Sequence, residues 1–409
     1  MGGGGEPASA DARPLKPLHV LSLATLFPDE TRPNFGIFVE QSLKALARQP
    51  GVMLTVVAPL GIPPWPLSLD RRYAKLRALP LREERNGLTV WRPRFTLIPK
   101  FGARFNAAAI ARAVLPIARA MQAKGALDVI DAQFFHPDGP AAHRLADALA
   151  LHFSIKARGS DIASWARRAD TGPAIRAAAD AAGGLLSVSA ALKAEMAELG
   201  LPGNKIDVHY TGVDAERFRA LDRATARAEW DLPASAPVLL TVGALIPIKR
   251  QELVIKAMAH LPADTHTLLA GAGPDAERLR ALVAERGIGD RVRLLGAVPQ
   301  ARLASLYNAA DAMVLMSERE GLANAWVEAL ACGTPLVLSD IPPAHEVIDG
   351  ADAGRIAAVE PHALAEAIRA VLVSPPDRET LAARTRARFD WTRNGAELAA
   401  HLRAVAGKR

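Results

Sequence analysis

Two glutamates, Glu320 and Glu328, lie eight positions apart around a short glycine-containing segment. Asn324 can cap a helix N-terminus, residues 325–331 are good helix formers, and Gly333 is a usual helix stop. At a rise of ~1.5 Å per residue, the two carboxylates lie roughly 10 Å apart along the helix axis. Carboxylates at this separation can bind different parts of one elongated polar ligand. The free N–H groups of a helix N-terminus between them favour an anion such as a diphosphate.

A solvated helix with two surface glutamates would show the same spacing, which often arises by chance. The glycine after Glu320 and the Ala-Cys-Gly-Thr-Pro run that ends at Pro335 make this segment more specific. Hydrolysis of a glycoside needs two carboxylates about 5–5.5 Å or about 6.5–9.5 Å apart across one bond. A helix N-terminus that favours phosphate fits a phosphate-bearing ligand better.

The segment 317–335 closely resembles the donor-binding segment of retaining family-four glycosyltransferases, and the resemblance extends from about residue 18 to residue 391. It implies an α/β chain of GT-B architecture, with two facing Rossmann-like domains of parallel sheets and a C-terminal helix that crosses back to the first domain. It also implies retention of the anomeric configuration, with the departing phosphate taking the acceptor's proton on the same face. By this resemblance Glu328 holds the donor ribose hydroxyls, and Glu320 holds the hydroxyls of the transferred sugar.

Length and composition fit a two-domain protein with large cores, since half of the 409 residues are apolar. The single cysteine, Cys332, excludes a disulfide scaffold and a cysteine-based zinc site, and it is typical of a reducing cytoplasm. No apolar run reaches the ~18–20 residues of a membrane span. The first residues show neither the basic nor the apolar region of a secretory signal. We therefore expect a cytoplasmic protein.

Short β-type runs alternate with alanine-rich helical runs, which predicts βαβ units and parallel sheets. We expect a disordered lead-in at 1–14, an acceptor-side domain at 15–217, a donor-binding domain at 218–390 and a returning helix at 391–409. The strands expected in the first half are Leu18–Ala24, Met53–Ala58, Leu88–Arg92, Leu127–Ala132, Phe153–Ala157, Leu185–Val188 and Lys205–Tyr210. Those expected in the second half are Val238–Val242, Thr267–Ala270, Arg291–Leu295, Ala312–Met316 and Leu336–Ser339.

A second candidate element runs from 241 to 250, where a predicted strand ends and a helix begins. Ligands of open α/β sheets bind at the carboxyl ends of strands, so Lys249 is well placed to meet an anion. A solvated lysine at a helix start would look the same. The resemblance implies that Lys249 neutralises the donor diphosphate beside Gly243. Many similar enzymes carry an arginine directly after this glycine, whereas this chain has Ala244 and leaves Arg250 as the candidate replacement.

Three stretches of the first domain contribute acceptor-side candidates. Gly36 would let the backbone approach a phosphate or acceptor closely, although a turn glycine is the simpler interpretation. Similar enzymes place a histidine facing the sugar after a later strand, where this chain offers Gln133 and His136, and a structural role for His136 is equally open. Arg158 occupies the histidine position of a loop that resembles the family's His-Gly-x-Asp, and Asp161 completes that loop.

Two other glycine-containing turns follow strands of the second half. The partial Gly-x-Gly at 271–273 is a tight turn by our interpretation, because no acidic residue follows a second strand as a dinucleotide motif requires. The turn before Pro299 implies, by resemblance, that the Val298 backbone pairs with the nucleotide base. The stretch 307–311 is interpreted as packing between a helix and a strand. No Asp-x-Asp motif occurs, so the metal-chelating motif of the other main transferase architecture is missing.

The segment 71–104 contains ten lysines and arginines against only Glu83 and Glu84. A solvated basic face is one interpretation. A surface that binds anionic lipid is the other, since each basic residue near a bilayer contributes roughly 1 kcal/mol. Nucleic-acid binding has no supporting motif, so we expect no nucleic-acid partner. Peripheral contact with the inner face of the plasma membrane would favour a lipid-linked saccharide acceptor.

Transfer of a sugar from a nucleotide-diphosphate sugar to an acceptor hydroxyl is therefore the predicted function, in exopolysaccharide, capsule or lipopolysaccharide assembly. The alternative is a two-lobed protein that binds a sugar or nucleotide without chemistry. We expect no metal and no cofactor beyond the nucleotide-diphosphate sugar as co-substrate. The catalytic candidates are Glu320, Lys249 and His136. The donor-binding candidates are Gly243, Lys249, Arg250, Val298, Glu320, Gly321, Leu322, Ala323, Asn324 and Glu328. The acceptor- or sugar-side candidates are Gly36, Gln133, Arg158 and Asp161.

Overall fold

The computed structural model describes residues 16–99 and 102–408, and the lead-in expected at 1–14 lies outside that part. Runs rich in valine, leucine and isoleucine form the central strands of two parallel sheets. Their side chains are buried, as in Val238, Leu239 and Leu240, because helices cover both faces of such sheets. This arrangement confirms the predicted α/β class.

The first domain is built from the following elements in chain order, of which β3 and β6 form a separate two-stranded sheet. They are β1 (Leu18–Leu23), α1 (Ile37–Ala47), β2 (Val52–Val57), β3 (Leu60–Ile62), α2 (Arg71–Ala78), β4 (Arg82–Arg85), β5 (Leu88–Trp91), β6 (Arg94–Thr96), α3 (Ala103–Ala123), β7 (Val129–Ala132), α4 (Asp138–Leu149), β8 (His152–Ala157), α5 (Gly172–Ala181), β9 (Gly184–Ser187), α6 (Ala190–Glu198) and β10 (Ile206–Val208).

The rest of the chain, from residue 223 onward, forms the second sheet and its helices. They are α7 (Arg223–Glu229), β11 (Val238–Val242), α8 (Gln251–Ala257), β12 (His266–Ala270), α9 (Ala276–Glu285), β13 (Val292–Gly296), α10 (Gln300–Ala309), β14 (Ala312–Leu315), α11 (Asn324–Ala331), β15 (Leu336–Ser339), α12 (Pro342–Val347), β16 (Gly354–Ala357), α13 (Pro361–Val373), α14 (Arg378–Arg388) and α15 (Trp391–Ala406).

Both sheets have the doubly wound order of Rossmann-like domains. The first runs β10-β9-β8-β7-β1-β2-β5-β4, with β4 antiparallel at one edge, and the second runs β13-β12-β11-β14-β15-β16 with every pair parallel. The strand order reverses at β1 in the first sheet and at β11 in the second. Crevices outside the carboxyl ends of strands at such points are the usual ligand sites of this fold class.

The C-terminal helix α15 returns to the first domain and packs on α1, as predicted. The fit is close enough that a Cβ on Gly395 would lie 2.4 Å from the carbonyl oxygen of Ala45. His401 Nε2 lies 2.8 Å from the Ser154 hydroxyl in β8, and an Arg403 N–H donates to the Pro50 carbonyl oxygen at 2.9 Å. The helix therefore ties the end of the chain to both the α1 face and the first sheet.

Several local predictions need correction. The strands β3, β4, β6 and β16 were not expected, and the strand expected at 205–210 is shorter, at 206–208. The helix α11 begins at Asn324 itself, after Ala323 and without a side-chain cap, so the capping role expected of Asn324 is wrong. The expected stop is correct: Gly333 has a φ of 75°, and the Thr334 amide donates to the Ala329 carbonyl oxygen at 2.9 Å.

Candidate functional site

A cleft of about 670 Å³ lies between the carboxyl edges of the two sheets. The first domain contributes Asn34, Ile37, Phe38, Arg158, Val188 and Thr211 to its walls. Among the residues that the second domain contributes are the predicted donor-binding positions Gly243, Lys249, Val298, Glu320, Leu322, Ala323, Asn324 and Glu328. The fold therefore brings most of the predicted donor side into one cavity.

The helix α11 packs against the rest of the second domain. Trp326, Val327 and Leu330 are buried on its inner face, which turns Glu328 toward the cleft. Ala325 lines the same cavity, so the N-terminus of the helix opens into it. Amides at a helix N-terminus and the positive end of its dipole suit a phosphate group at this point.

Lys249 and Glu320 form an ion pair inside the cleft. The Ser317 hydroxyl also donates to Glu320, at 2.7 Å, which fixes the carboxylate at the end of its loop. Arg250 instead pairs with the exposed Glu318 at 3.4 Å and is not among the residues that line the cleft. Of the two predicted cations, Lys249 therefore lines the cleft and Arg250 does not.

Glu328 accepts a hydrogen bond from the Tyr307 hydroxyl at 2.8 Å. Burial raises the pKa of Glu328 to about 7, while Tyr307 and the positive charge of Arg217 oppose that rise. A carboxylate with this pKa is ionised mainly above neutral pH, and it can then accept hydrogen bonds from ligand hydroxyls.

The loop after β8 presents Arg158 to the cleft. Its guanidinium donates to the carbonyl oxygen of Gln133 at 3.2 Å and lies 5.1 Å from the ring centre of Phe38. Burial lowers the pKa of Arg158 to about 10. Asp161 is buried and accepts amide hydrogen bonds from Phe135, Arg158, Gly159 and Ile162. Asp161 therefore shapes the loop, and Arg158 is the member that reaches the cavity.

The remaining first-domain candidates are not among the residues that line the cleft. Gln133 is buried and hydrogen-bonds Asp131 and Arg158. Gly36 has a φ of 71°, and a Cβ there would lie 2.4 Å from the Leu26 carbonyl oxygen, so its visible role is close backbone packing. His136 is buried, and its ring stacks on Trp165 at 4.8 Å between centres.

The glycine turns of the second domain are as interpreted from the sequence. A Cβ on Gly271 or Gly273 would collide with the carbonyl oxygen of Gly243 or Leu245, respectively, so both glycines allow close packing of neighbouring loops. Val298 lines the cleft, and Gly321 lies just beyond it, in a neighbouring cavity. Within residues 16–99 and 102–408, no group of three or more His, Cys, Asp or Glu side chains is positioned to hold a metal ion.

Sequence reasoning missed five cleft residues of the first domain: Asn34, Ile37, Phe38, Val188 and Thr211. Asn34 and Phe38 lie two positions on either side of Gly36. The sequence therefore predicted the turn as a candidate but not its neighbours that line the cleft. Tyr307 was interpreted only as packing, and nothing local in the sequence indicates its contact with Glu328, which lies 21 positions away.

Both domains match known protein families. Residues 37–217 match the family described as Glycosyltransferase Family 4, and residues 222–388 match Glycosyl transferases group 1. Each of the two domains therefore matches a glycosyltransferase family over most of its length. The two matches follow the division between the two sheets, because the first ends after β10 and the second begins at the residue before α7.

The curated relatives resemble part of the chain. A D-inositol 3-phosphate glycosyltransferase of Mycolicibacterium gilvum is 35% identical over 219 residues, which are 51% of this chain and 48% of that protein. A D-inositol 3-phosphate glycosyltransferase 2 of Catenulispora acidiphila is 33% identical over 237 residues, which are 54% of this chain and 56% of that protein. The chain thus spans about half the length of the curated relatives it matches.

Solved structures match over nearly the whole chain and establish the GT-B fold. Sucrose-phosphate synthase from Thermosynechococcus elongatus aligns with a TM-score of 0.78 and 23% identity, covering 94% of this chain and 98% of that one. Anabaena HepE in complex with UDP and glucose aligns with a TM-score of 0.70 and 19% identity, covering 95% of this chain and 100% of that one.

The buried imidazole of His136 generates a prediction about acid stability. Burial lowers its pKa from the ordinary 6.5 to about 4, so the unfolded chain binds a proton more readily than the folded one. His136 therefore contributes stability above pH 6.5 that is lost as pH falls from about 6.5 to about 4. We expect His136→Phe, which keeps an aromatic ring beside Trp165, to lose less unfolding free energy than wild type over this range.

Urea unfolding at pH 7.5 and pH 5 measures the difference, and His345→Phe, which removes an exposed histidine, is the matched control. Equal acid sensitivity of wild type and His136→Phe would contradict a buried neutral His136.

Proposed function

We propose that this chain transfers a sugar from a nucleoside-diphosphate sugar to an acceptor hydroxyl with retention of configuration. The observation that carries the proposal is the cleft itself. It places Lys249 and the N-terminus of α11 between two carboxylates, Glu320 and Glu328. A cation and a helix dipole suit the diphosphate, and the carboxylates on either side suit the hydroxyls of a sugar and a ribose. The HepE complex with UDP and glucose supports a donor of this class.

The donor would lie along the cleft. Its base would contact the backbone at Val298, and its ribose would contact Glu328. Its diphosphate would bind Lys249 and the first turn of α11, and its sugar would contact Glu320. Departure of the nucleoside diphosphate builds negative charge on the leaving oxygen, and fixed positive groups stabilise that charge. Glu320 is the ion-pair partner of Lys249. A diphosphate would therefore replace Glu320 as the partner of Lys249 and release the carboxylate toward the sugar.

The acceptor would approach from the first domain. A second cavity of about 280 Å³ lies on the other side of Lys249 and Glu320 and shares Arg158 and Leu322 with the main cleft. This cavity supports a route for an acceptor beside the expected position of the donor sugar. In the proposed reaction the departing phosphate takes the acceptor's proton on the face from which it leaves.

The role of Lys249 predicts the effect of removing it. Lys249→Ala should lower transfer or donor hydrolysis on the order of 10²-fold, as loss of one charge-stabilising donor commonly does. Arg250→Ala should lower it much less, because Arg250 pairs with Glu318 away from the cleft. Initial rates over a panel of UDP- and GDP-sugars give the measurement, with Lys124→Ala on the far end of α3 as a control.

Wild-type rates in Lys249→Ala would refute this site. Tight nucleotide binding by wild type without any turnover on the panel would favour the alternative of a binding protein without chemistry.

The reaction as proposed needs no metal, because Lys249 and the α11 N-terminus supply the positive charge. We expect enzyme that is treated with EDTA and freed of chelator to keep most of its initial rate with the sugar donor it prefers. The same assay with added Mg²⁺ or Mn²⁺ is the comparison. A rate that disappears with EDTA and returns with either ion would show that the charge on the leaving group is stabilised by a cation instead.

We further propose that the protein binds anionic membranes through a surface at 65–77. Trp65, Leu67 and Leu69 there are 78%, 55% and 66% exposed. Helix α2 follows, with Tyr73 and Leu76 buried inward. Its outward positions carry the exposed basic residues Arg71, Arg72, Lys75 and Arg77. Apolar side chains beside a basic face match the boundary between lipid headgroups and acyl chains.

This surface would bring the acceptor-side domain to the inner face of the plasma membrane, where a lipid-linked saccharide of surface-polysaccharide assembly would be the acceptor. No helix among the described residues is long and apolar enough to cross a membrane. The curated relatives are named for a small phosphorylated acceptor, so membrane binding is the observation that distinguishes the two acceptor classes.

Vesicle sedimentation tests the surface at 65–77. The protein should sediment with vesicles of phosphatidylglycerol and phosphatidylcholine at low salt and be released as salt rises. Changing Arg71, Arg72, Lys75 and Arg77 together to Gln should weaken binding without changing nucleotide affinity. Changing Arg119, Lys124, Arg280 and Arg286 to Gln removes the same charge elsewhere and should weaken binding much less.

Trp65→Ser should lower the fraction bound at every salt concentration, because insertion of an apolar side chain is not screened by ions. Equal binding to neutral and anionic vesicles, or to neither, would contradict the membrane proposal and favour a soluble acceptor.

A further inference from the structure

We propose that Tyr307 is a positioning residue, whose hydroxyl holds one oxygen of Glu328 so that the rest of the carboxylate meets the nucleotide ribose. The inference rests on the proposed function, because it assumes that the cleft binds a nucleoside diphosphate. It assigns a role in that binding to a residue that is itself outside the cleft lining.

The tyrosine is fixed by its surroundings. Tyr307 lies in the last turn of α10 and is fully buried. Its ring meets Phe218 edge-on, with 6.0 Å between ring centres. Its carbonyl oxygen accepts a hydrogen bond from the Thr334 hydroxyl at 2.7 Å, which joins α10 to the segment directly after α11. The hydroxyl of Tyr307 is therefore held at a set position beside α11.

Glu328 is half-buried and has the spare acceptor capacity that the role requires. The Tyr307 hydroxyl donates to its Oε2 at 2.8 Å, and among the described residues it is the one group that hydrogen-bonds this carboxylate. An ionised carboxylate has about four acceptor sites, so one hydrogen bond from Tyr307 leaves the others free. Glu328 lines the cleft, where two vicinal hydroxyls of a ribose could donate to those sites.

Holding the carboxylate also limits the cost of binding. A glutamate side chain that is ordered before the ligand arrives loses less conformational entropy when the ligand binds. Without the tyrosine hydroxyl, the carboxylate would be free to turn toward Arg217, which approaches from the segment before α7. In this proposal the Tyr307 hydroxyl therefore sets the orientation of the Glu328 carboxylate.

The pH dependence of nucleotide binding gives a distinctive signature. Glu328 accepts from both ribose hydroxyls only when ionised, so affinity should fall as pH decreases through its pKa of about 7. The Tyr307 hydroxyl lowers this pKa, as does Arg217, while Asp214, Cys332 and Arg378 are the other titratable groups on the elements around it. Removing the hydroxyl should raise the pKa of Glu328 and move the loss of affinity to higher pH.

The experiment is calorimetric titration of UDP and GDP from pH 6 to pH 9. Both nucleotides carry the same ribose, so the outcome does not depend on which base the cleft prefers. The variants are Tyr307→Phe, Glu328→Gln and the double variant, with Tyr73→Phe as a control that removes a tyrosine hydroxyl far from the cleft. Thermal unfolding checks that each variant is folded.

We expect Tyr307→Phe to weaken binding on the order of tenfold near pH 7, as loss of one hydrogen bond to a charged group does. Its loss of affinity should begin at a higher pH than that of wild type. In the Glu328→Gln background the same change should cost little, because Tyr307 acts through the carboxylate. Tyr73→Phe should bind as wild type does.

Three outcomes overturn the proposal, and they differ in what else they affect. An unchanged affinity and pH midpoint in Tyr307→Phe, while Glu328→Gln is weakened, would refute the role of Tyr307 alone. Fully additive losses in the double variant would show that Tyr307 acts on the fold and not through Glu328. Failure of wild type to bind either nucleotide would refute the proposed function, and the role of Tyr307 with it.

Discussion

The cleft depends on a close backbone contact between the two domains. A Cβ on Gly321 would lie 2.3 Å from the Arg158 carbonyl oxygen, and a Cβ on Gly159 would lie 2.7 Å from the Gly321 Cα. The Ser189 hydroxyl adds a hydrogen bond to the Gly321 carbonyl oxygen at 2.7 Å. Because no side chain separates the two loops, the carboxyl edges of the sheets face each other at short range. Arg158 of the first domain then lies beside Glu320 of the second.

The charges of the cleft are satisfied by protein partners that a ligand can replace. Lys249 pairs with Glu320, and Arg158 donates to Gln133, so neither cation lies without a partner in a partly dehydrated cavity. An isolated buried charge would be costly, whereas exchanging one anionic partner for another costs far less. In the proposed function a diphosphate, which carries more negative charge than a carboxylate, would displace Glu320 from Lys249. The ion pair thus holds the Lys249 ammonium group in a fixed position within the cleft.

The sequence predicted the parallel sheets because their strands are continuous apolar runs, such as 238–242, and such runs are visible locally. It missed β4 because Arg82-Glu-Glu-Arg85 is fully polar, which only an edge strand tolerates. The grouping of Lys249 with Glu320 could be predicted because both follow strands of one sheet. The burial of His136 and the contact of Tyr307 with Glu328 could not, because they depend on packing between elements distant in the chain.

Polar groups of α12, α6 and the segment after β10 also join the two domains. Glu346 of α12 accepts hydrogen bonds from the Ala190 and Ala191 amides at the N-terminus of α6, at 2.9 and 2.6 Å, and from the Tyr210 hydroxyl at 3.1 Å. These bonds lie partly exposed at the rim, where water can replace each of them at a net cost of about 0.5–1.5 kcal/mol. These hydrogen bonds of Glu346 therefore make a modest and replaceable contribution on this side of the interface.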